Sequence, residues 1–170
     1  DMGSSSNTPS QGWENTDRGW KYKESNGSYV TNTWKQVDGI WYFFDGEGYI
    51  ATSWRQINGV WYFFNASGAM VTGWVQSGND WYYMNPSGAM ATGWYQEGST
   101  WYYLDAQNGD MKTGWIYVDN TWYYLRSSGA MVTGWFQVNG KWYYAYSSGA
   151  LAINTTVGGY QVNYNGEWVQ

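Results

Sequence analysis

Tryptophan recurs along this chain at a fixed interval, and no other feature of the sequence constrains the fold as strongly. Seven tryptophans lie 20 or 21 residues apart, and each is followed by a second one seven residues later. The first members are Trp13, Trp34, Trp54, Trp74, Trp94, Trp115 and Trp135, and the second members are Trp20, Trp41, Trp61, Trp81, Trp101, Trp122 and Trp142. Of the 15 tryptophans, only Trp168 lies outside the pattern. A period of this length is typical of repeat proteins, in which each repeat is one small supersecondary element.

Each repeat carries the signal of a β-hairpin. The strand segments, such as WVQ and WYYM, are rich in residues that favour β-structure. Between the two tryptophans lies a pair that tolerates positive φ and favours a type I′ or II′ turn. These pairs are Asp38-Gly39, Asn58-Gly59, Gly78-Asn79, Gly98-Ser99, Asp119-Asn120 and Asn139-Gly140. A glycine-containing loop, such as NPSGAM, follows the second strand.

The turn fixes the register of the hairpin, and the register sorts the side chains. A turn at Gly78 pairs Trp74 with Tyr83. Because side chains alternate across a strand, Trp74, Trp81 and Tyr83 fall on one face. Tyr82 falls on the other face, and we expect the tyrosines at its position to be structural. They are Tyr42, Tyr62, Tyr82, Tyr102, Tyr123 and Tyr143.

The predicted fold class is all-β, a solenoid or superhelix of stacked β-hairpins with one hairpin per repeat. A lone hairpin is only marginally stable in water, so hairpins with two apolar faces must stack on their neighbours. Residues 12–170 are predicted to form this module, with seven repeats and a degenerate capping repeat from about Thr155 to the end. Residues 1–11 are polar and rich in serine, which is typical of a linker or a cloning remnant.

The composition argues against several classes of function. The chain has no cysteine and no histidine, so the usual general base and the commonest metal ligands are missing. We therefore expect a non-catalytic protein with no cofactor and no metal. The net charge of −5 argues against nucleic acid as a partner. The sequence has no apolar stretch long enough for a membrane span, so direct membrane insertion is not expected.

The aromatic face of each hairpin admits two interpretations. It could simply hold the hairpins together, as aromatic pairs in strands often do. Three rings without a nearby carboxylate would also form a cage for a cation that cannot donate hydrogen bonds, such as a quaternary ammonium group. A sugar stacked on tryptophan stays open as an alternative ligand.

The runs GWVQSGNDWYYMNPSGAMATGW and GWFQVNGKWYYAYSSGAL resemble the cell-wall-binding repeats of the choline-binding protein family of Gram-positive surface proteins, autolysins and phage lysins. The resemblance covers about residues 12–170. It implies an extracellular module that anchors a protein multivalently to the choline or phosphocholine of teichoic and lipoteichoic acids in the cell wall. It also admits a choline-linked dimer. The nearest alternative is a related glucan- or glycan-binding repeat, but paired tryptophans seven residues apart favour choline.

In that family each cage takes two tryptophans from one repeat and an aromatic residue from the next, often with a methionine. Carried onto this sequence, the four fullest matches are Trp54, Trp61, Tyr83 and Met70; Trp74, Trp81, Tyr103 and Met90; Trp94, Trp101, Tyr124 and Met111; and Trp115, Trp122, Tyr144 and Met131. Three further candidates depart from the pattern: Trp34 and Trp41 with Phe63 and Ile50; Trp13 and Trp20 with Phe43 and Tyr29; and Trp135 and Trp142 with Tyr164 and Leu151.

Overall fold

A computed structural model describes residues 11–170 of the chain, so all but the last residue of the predicted linker 1–11 lies outside the described residues. The strands are β1 (Gly12–Thr16), β2 (Gly19–Lys23), β3 (Thr33–Val37), β4 (Ile40–Phe44), β5 (Ser53–Ile57), β6 (Val60–Phe64), β7 (Gly73–Ser77), β8 (Asp80–Met84), β9 (Gly93–Glu97), β10 (Thr100–Leu104), β11 (Gly114–Val118), β12 (Thr121–Leu125), β13 (Gly134–Val138), β14 (Lys141–Ala145), β15 (Thr155–Val157), β16 (Tyr160–Val162) and β17 (Trp168–Val169). Within residues 11–170 there is no helix that could cross a membrane.

The predicted fold class is confirmed, because each repeat forms one antiparallel hairpin. Strands β1 to β14 pair two by two in chain order, and β15, β16 and β17 form a three-stranded sheet. The predicted register is also confirmed in the hairpins. In the pair β3–β4, for example, Trp34 lies opposite Phe43 and Gln36 lies opposite Trp41.

The turns explain why the register is so regular. Asp38 and Gly39 have φ values of 52° and 81°, so both central residues of this turn lie in the left-handed region, as a type I′ turn requires. The Asp119-Asn120 turn has φ values of 50° and 64° without any glycine. Asparagine and aspartate tolerate this region better than most residues do. The twist of these turns matches the twist of the strands, so the two strands of each hairpin stay in register.

The described residues fall into two compact units. Unit 1 comprises residues 11–75 and Met84–Met90, and unit 2 comprises Gln76–Tyr83 and Ala91–Gln170. In both units the core includes the third residue after the second tryptophan in all repeats but the first, where Lys23 holds this place at the end of the second strand. In unit 1 these residues are Phe44, Phe64 and Met84, and in unit 2 they include Leu104 and Leu125, all 0% exposed. Each of these five hairpins thus contributes one fully buried side chain to the core of its unit.

The hairpins stack with unlike faces together. The indole of Trp34 lies 4.8 Å from the ring of Tyr62 and 5.6 Å from that of Phe64, both on the next hairpin. Tyr62 and Phe64 point to the face opposite that of Phe63, because side chains alternate along β6. The face that bears the tryptophans therefore packs against the Tyr-bearing face of the following hairpin.

The loops between hairpins pack closely on one another, and their glycines permit it. Gly88 has a φ of 92°, and a Cβ atom at this position would lie 2.3 Å from the sulfur of Met70 in the preceding loop. The same relation joins Gly129 to Met111 and Gly149 to Met131, at 2.4 and 2.3 Å. Glycine in these loops therefore permits the positive φ of the backbone, and it leaves room for the methionine of the preceding loop.

We expect Gly88→Ala to destabilise the protein more than Gly73→Ala does. Both glycines have positive φ, but a Cβ atom at Gly73 meets nothing within 4 Å. Gly73→Ala should cost about 1–3 kcal/mol from backbone strain alone. Gly88→Ala should cost roughly 1–3 kcal/mol more, because Met70 must move. Urea unfolding followed by tryptophan fluorescence measures both losses. Equal losses would contradict this loop packing, whereas a Gly88→Ala, Met70→Ala double variant should lose less stability than the sum of the two single variants.

Candidate functional site

The paired tryptophans of each repeat form two walls at nearly a right angle. In the hairpin β3–β4 the ring centroids of Trp34 and Trp41 lie 6.4 Å apart with an interplanar angle of 82°. The same arrangement recurs at Trp94 and Trp101, at 6.4 Å and 85°. The register of the hairpin brings the two indoles together. The second tryptophan lies opposite the residue two positions after the first, so both indoles are on the same face. The first tryptophan is partly buried by the next hairpin, whereas Trp41 keeps 41% of its surface exposed.

A tyrosine from the next hairpin supplies the third wall. We call the two tryptophans and this tyrosine the aromatic corner. In the described corners the tyrosine lies edge to face on the first tryptophan, with centroid distances of 4.7 to 4.9 Å in four of them. The described corners are Trp13, Trp20 and Tyr42; Trp34, Trp41 and Tyr62; Trp94, Trp101 and Tyr123; Trp115, Trp122 and Tyr143; and Trp135, Trp142 and Tyr160.

This tyrosine is not the residue that the sequence predicted. The structure places Tyr42 at Trp13 where Phe43 was expected, and Tyr62 at Trp34 where Phe63 was expected. The same one-residue correction replaces Tyr124 by Tyr123 at Trp94, and Tyr144 by Tyr143 at Trp115. The tyrosines expected to be purely structural thus face the tryptophan pairs. The reason is the stacking of unlike faces, which turns Phe63 and its equivalents away from the preceding hairpin.

The predicted third rings lie instead beside the first tryptophan of their own hairpin. Phe43 contacts Trp34 at 5.3 Å, and Phe63 contacts Trp54 at 5.0 Å. The remaining cases with the same contact are Tyr103 with Trp94, Tyr124 with Trp115 and Tyr144 with Trp135. Tyr83 stacks on Tyr95 with a centroid distance of 3.9 Å. The rings that contact a first tryptophan therefore support it from the side.

The methionine position is also shifted by one hairpin. Met70 was expected at Trp54 and Trp61, but it lines the pocket of Trp34, Trp41 and Tyr62. Its backbone N–H donates to the carbonyl oxygen of Trp41 at 2.9 Å. The corresponding N–H groups of Met90, Met111 and Met131 donate to Trp61, Trp81 and Trp101 respectively. Each loop thus turns back over the hairpin before its own, a long-range contact that the local register cannot reveal.

The two aliphatic residues that stand in the methionine position are shifted by one hairpin in the same way. Ile50, expected at Trp34, lines the pocket of Trp13 and Trp20, where the sequence had suggested Tyr29. Leu151, expected at Trp135, lines the pocket of Trp115 and Trp122, where Met131 was predicted.

The last aromatic corner differs most from the prediction. Tyr164 was expected beside Trp135 and Trp142, but it lines the pocket of Trp115 and Trp122. The pocket at Trp135 and Trp142 is lined by Tyr160 and Trp168 instead. Trp168 stands two residues after the loop glycine Gly166, the position that methionine holds in the loops of complete repeats. From that spacing, the sequence could have indicated that Trp168, the one unpaired tryptophan, takes the place of the loop methionine.

The members of two predicted sites are divided between units 1 and 2. These sites are Trp54, Trp61, Tyr83 and Met70, and Trp74, Trp81, Tyr103 and Met90. Their third rings stay predictions, whereas Met70 lies in the pocket of Trp34 and Trp41, and Met90 bonds to Trp61.

The pockets are uncharged, partly open and apolar. The pocket of Trp34 and Trp41 has a volume of about 360 Å³, and apart from Ser87 its lining consists of aromatic rings, Met70 and Pro86. None of the residues that line the described pockets carries a formal charge. Burial raises the pKa of the Tyr143 phenol above its ordinary value, with a smaller contribution from Glu167, so this ring is neutral at neutral pH. The attraction that a corner offers to a cation therefore comes from the faces of neutral rings.

The repeats of this chain match models of known repeat families. The model of the family described as "Choline-binding repeat" matches residues 51–84, 71–113 and 112–155, and a model of a cell wall binding repeat matches residues 32–50. The chain belongs to the choline-binding repeat family. Its repeats are therefore cell-wall-binding repeats, and the aromatic corners fit the cages of that family. No match to the chain is found among curated proteins.

Solved structures of this family are similar to the chain. Choline binding protein F from Streptococcus pneumoniae is 49% identical over 95% of the chain, with a TM-score of 0.88, and the chain covers 58% of that protein. CbpJ from the same organism is 44% identical over 95% of the chain, with a TM-score of 0.68 and 72% of its own length covered. The modular autolysin LytC from S. pneumoniae is 29% identical over 93% of the chain, with a TM-score of 0.65 and 38% covered. The chain thus spans about three fifths of the first of these relatives.

The corrected third wall can be tested at Trp34 and Trp41. Tyr62→Leu removes the π face of this corner but fills the space, so choline density in this pocket should be lost from crystals soaked in choline. Tyr62→Phe keeps the face and should keep the density. The matched control is Phe63→Leu, which changes the neighbouring residue on the opposite face and should leave the ligand in place. Loss with Phe63→Leu and retention with Tyr62→Leu would reinstate the assignment made from sequence.

Proposed function

We propose that this chain is a non-catalytic anchoring module that captures the choline of cell-wall teichoic and lipoteichoic acids in its aromatic corners. The observation that carries the proposal is the recurrence of one uncharged three-ring corner at successive hairpins. The proposal includes an extracellular location at the bacterial cell wall. A choline-linked dimer stays a prediction of the family resemblance.

The chemistry of the corner selects the ligand class. A quaternary ammonium group has no N–H to donate, so it loses little when it leaves water for a site without acceptors. Cation–π attraction contributes about 2 kcal/mol where the site is desolvated. The methyl groups of the ligand also bury apolar surface against the rings, which contributes roughly 25 cal/mol of binding free energy per Å². A lysine or arginine side chain would require a carboxylate, which the lining residues do not provide.

The arrangement also suits a ligand that occurs many times on one polymer. The corners repeat with the hairpins, so the module presents up to seven sites along its length. A single small ligand in such an open site should bind weakly, on the order of millimolar, because few contacts offset its lost freedom. Once one corner is occupied by a polymer-borne choline, the next binding event is intramolecular.

The sequence favours binding over catalysis. It holds neither histidine nor cysteine, and its 13 acidic residues form no recurring pair. The carboxylate of Asp105 accepts hydrogen bonds from the backbone N–H groups of Gln107 and Asn108, which is a structural role in a loop. These bonds lower the pKa of Asp105, so it is an ionised loop anchor at neutral pH rather than a general acid. A carbohydrate ligand, stacked on the exposed tryptophans, is the second candidate.

Choline should bind at least tenfold more tightly than ethanolamine. The primary ammonium of ethanolamine is strongly hydrated and needs acceptors that the corner lacks. Tryptophan fluorescence during a titration with each compound gives the two affinities, and both should change little between 0.1 and 1 M salt, because the contact is short-ranged. Glucose is the control ligand for the carbohydrate alternative. Equal affinities for choline and ethanolamine would disprove the cage.

Retention on choline-bearing cell walls should depend on the number of corners. Trp41→Ala and Trp122→Ala each remove one corner, and a variant with both changes should be retained far less than either alone, because avidity can exceed single-site affinity by about 10² to 10⁴. Free choline at tens of millimolar, an estimate from the weak single site, should elute the unmodified protein. Circular dichroism would confirm that the variants are folded. Unchanged retention of the double variant would show that another single site carries the binding.

A further inference from the structure

The pocket at Trp115 and Trp122 is larger than the other described pockets, and its lining is more polar. Its volume is about 450 Å³, compared with about 360 Å³ at Trp34 and Trp41 and about 270 Å³ at Trp13 and Trp20. The rim includes two exposed tyrosines and two asparagines, which are Tyr117, Asn120, Tyr164 and Asn165. Outside the aromatic corner, the lining of this pocket thus adds exposed rings and amides, together with the aliphatic Leu151 and Ile153.

Tyr117 stands where the neighbouring repeats carry glutamine. The equivalent residues Gln36 and Gln56 donate their side-chain amides back to the carbonyls of Gly39 and Gly59 in their own turns, at 3.2 and 3.3 Å. Tyr117 instead lies over its cross-strand partner Trp122, with a centroid distance of 4.9 Å, and remains 56% exposed. This single change adds a ring surface beside the second tryptophan.

Hydrogen-bonding groups lie next to that ring. The Tyr117 hydroxyl donates to Oδ1 of Asn120 at 3.5 Å, which ties the turn side chain to the rim. On the other side, Tyr164 and Asn165 come from the C-terminal loop, in place of the Pro86 and Ser87 that line the pocket of Trp34 and Trp41. Tyr164 is 72% exposed, so its ring is available to a ligand.

The chemistry of this rim fits a sugar ring. A pyranose has a flat C–H face, which packs on exposed aromatic rings, and an edge of hydroxyls, which bond to groups that both donate and accept. Asparagine amides and tyrosine hydroxyls are such groups. The lining holds no lysine or arginine, so a phosphate alone would gain no ion pair here.

We infer that the Trp115–Trp122 pocket binds choline together with the pyranose ring that carries it through a phosphodiester, and is the specificity site of the module. This inference rests on the proposed function, which supplies the choline. The head group occupies the aromatic corner, and the sugar lies between Tyr117 and Tyr164 with its hydroxyls on Asn120 and Asn165. The pocket of Trp34 and Trp41, with glutamine, glycine, proline and serine in the corresponding places, binds the head group alone.

Isothermal titration of the full chain tests the inference with three ligands. They are phosphocholine, methyl glucopyranoside 6-phosphocholine and the benzyl ester of phosphocholine. The glucoside should show one site per chain that is roughly tenfold tighter than the rest, equivalent to about 1.4 kcal/mol. Phosphocholine should show only the weak sites. The variants Tyr117→Gln and Asn165→Ser introduce residues that other repeats already carry at these positions, so they should fold normally and lose the tight site.

The outcomes separate the inference from the proposed function. A glucoside that binds no more tightly than phosphocholine overturns the inference and leaves the proposed function intact. A benzyl ester that gains as much as the glucoside shows stacking without sugar recognition, which also overturns it. If phosphocholine itself does not bind, the proposed function fails, and the inference fails with it.

A gain of function provides the complementary test. Gln36→Tyr, Gly39→Asn, Pro86→Tyr and Ser87→Asn together rebuild the rim at the pocket of Trp34 and Trp41. The quadruple variant should show two tight sites per chain for the glucoside. Persistence of a single tight site in a folded quadruple variant would overturn the assignment of specificity to these rim positions.

Discussion

The structure depends on one contact, the packing of the first tryptophan of a hairpin against the tyrosine of the next. At Trp34 this contact brings the rings of two successive hairpins to 4.8 Å. The contact buries part of the first indole and leaves the second one open, as the 41% exposure of Trp41 shows. Edge-to-face pairs of this kind contribute about 0.5–1.5 kcal/mol beyond their buried area. A single interaction thus stacks the hairpins and builds a half-open aromatic corner.

Stability and binding are separated along the second strand by alternation. In β6, the fully buried Phe64 belongs to the core, Tyr62 belongs to the corner of the preceding hairpin, and Phe63 supports Trp54 of its own hairpin. Three adjacent residues of the aromatic run WYFF therefore have three different roles. This division explains how a chain with 22% aromatic residues can fold with few aliphatic side chains.

The end of the chain shows how the pattern is completed without another full repeat. The short strands β15 and β16 still deliver Tyr160 to the last corner, and Trp168 in β17 takes the place that a loop methionine would hold. The same terminal loop sends Tyr164 to the rim of the pocket before it. The degenerate repeat thus contributes to two pockets although it has no tryptophan pair of its own.

The sequence by itself determined the repeat, the hairpins and their register. Those depend on local chemistry, because turn pairs such as Asp38-Gly39 select I′ geometry and strand alternation then sorts the residues by face. It also determined the tryptophan members of every corner, since Trp34 and Trp41 lie on one face of one hairpin. The family assignment followed from the same pairs.

Only the tertiary structure decided which residues of other hairpins complete each corner. The choice between Tyr62 and Phe63 depends on which face of β6 meets the hairpin before it, and both faces are aromatic, so the hydrophobic pattern did not distinguish them. The position of Met70 depends on the hydrogen bond from its backbone N–H to the carbonyl oxygen of Trp41, which is a contact between repeats. The register within a hairpin is a local property, whereas the order in which unlike faces stack is a property of the assembled repeats.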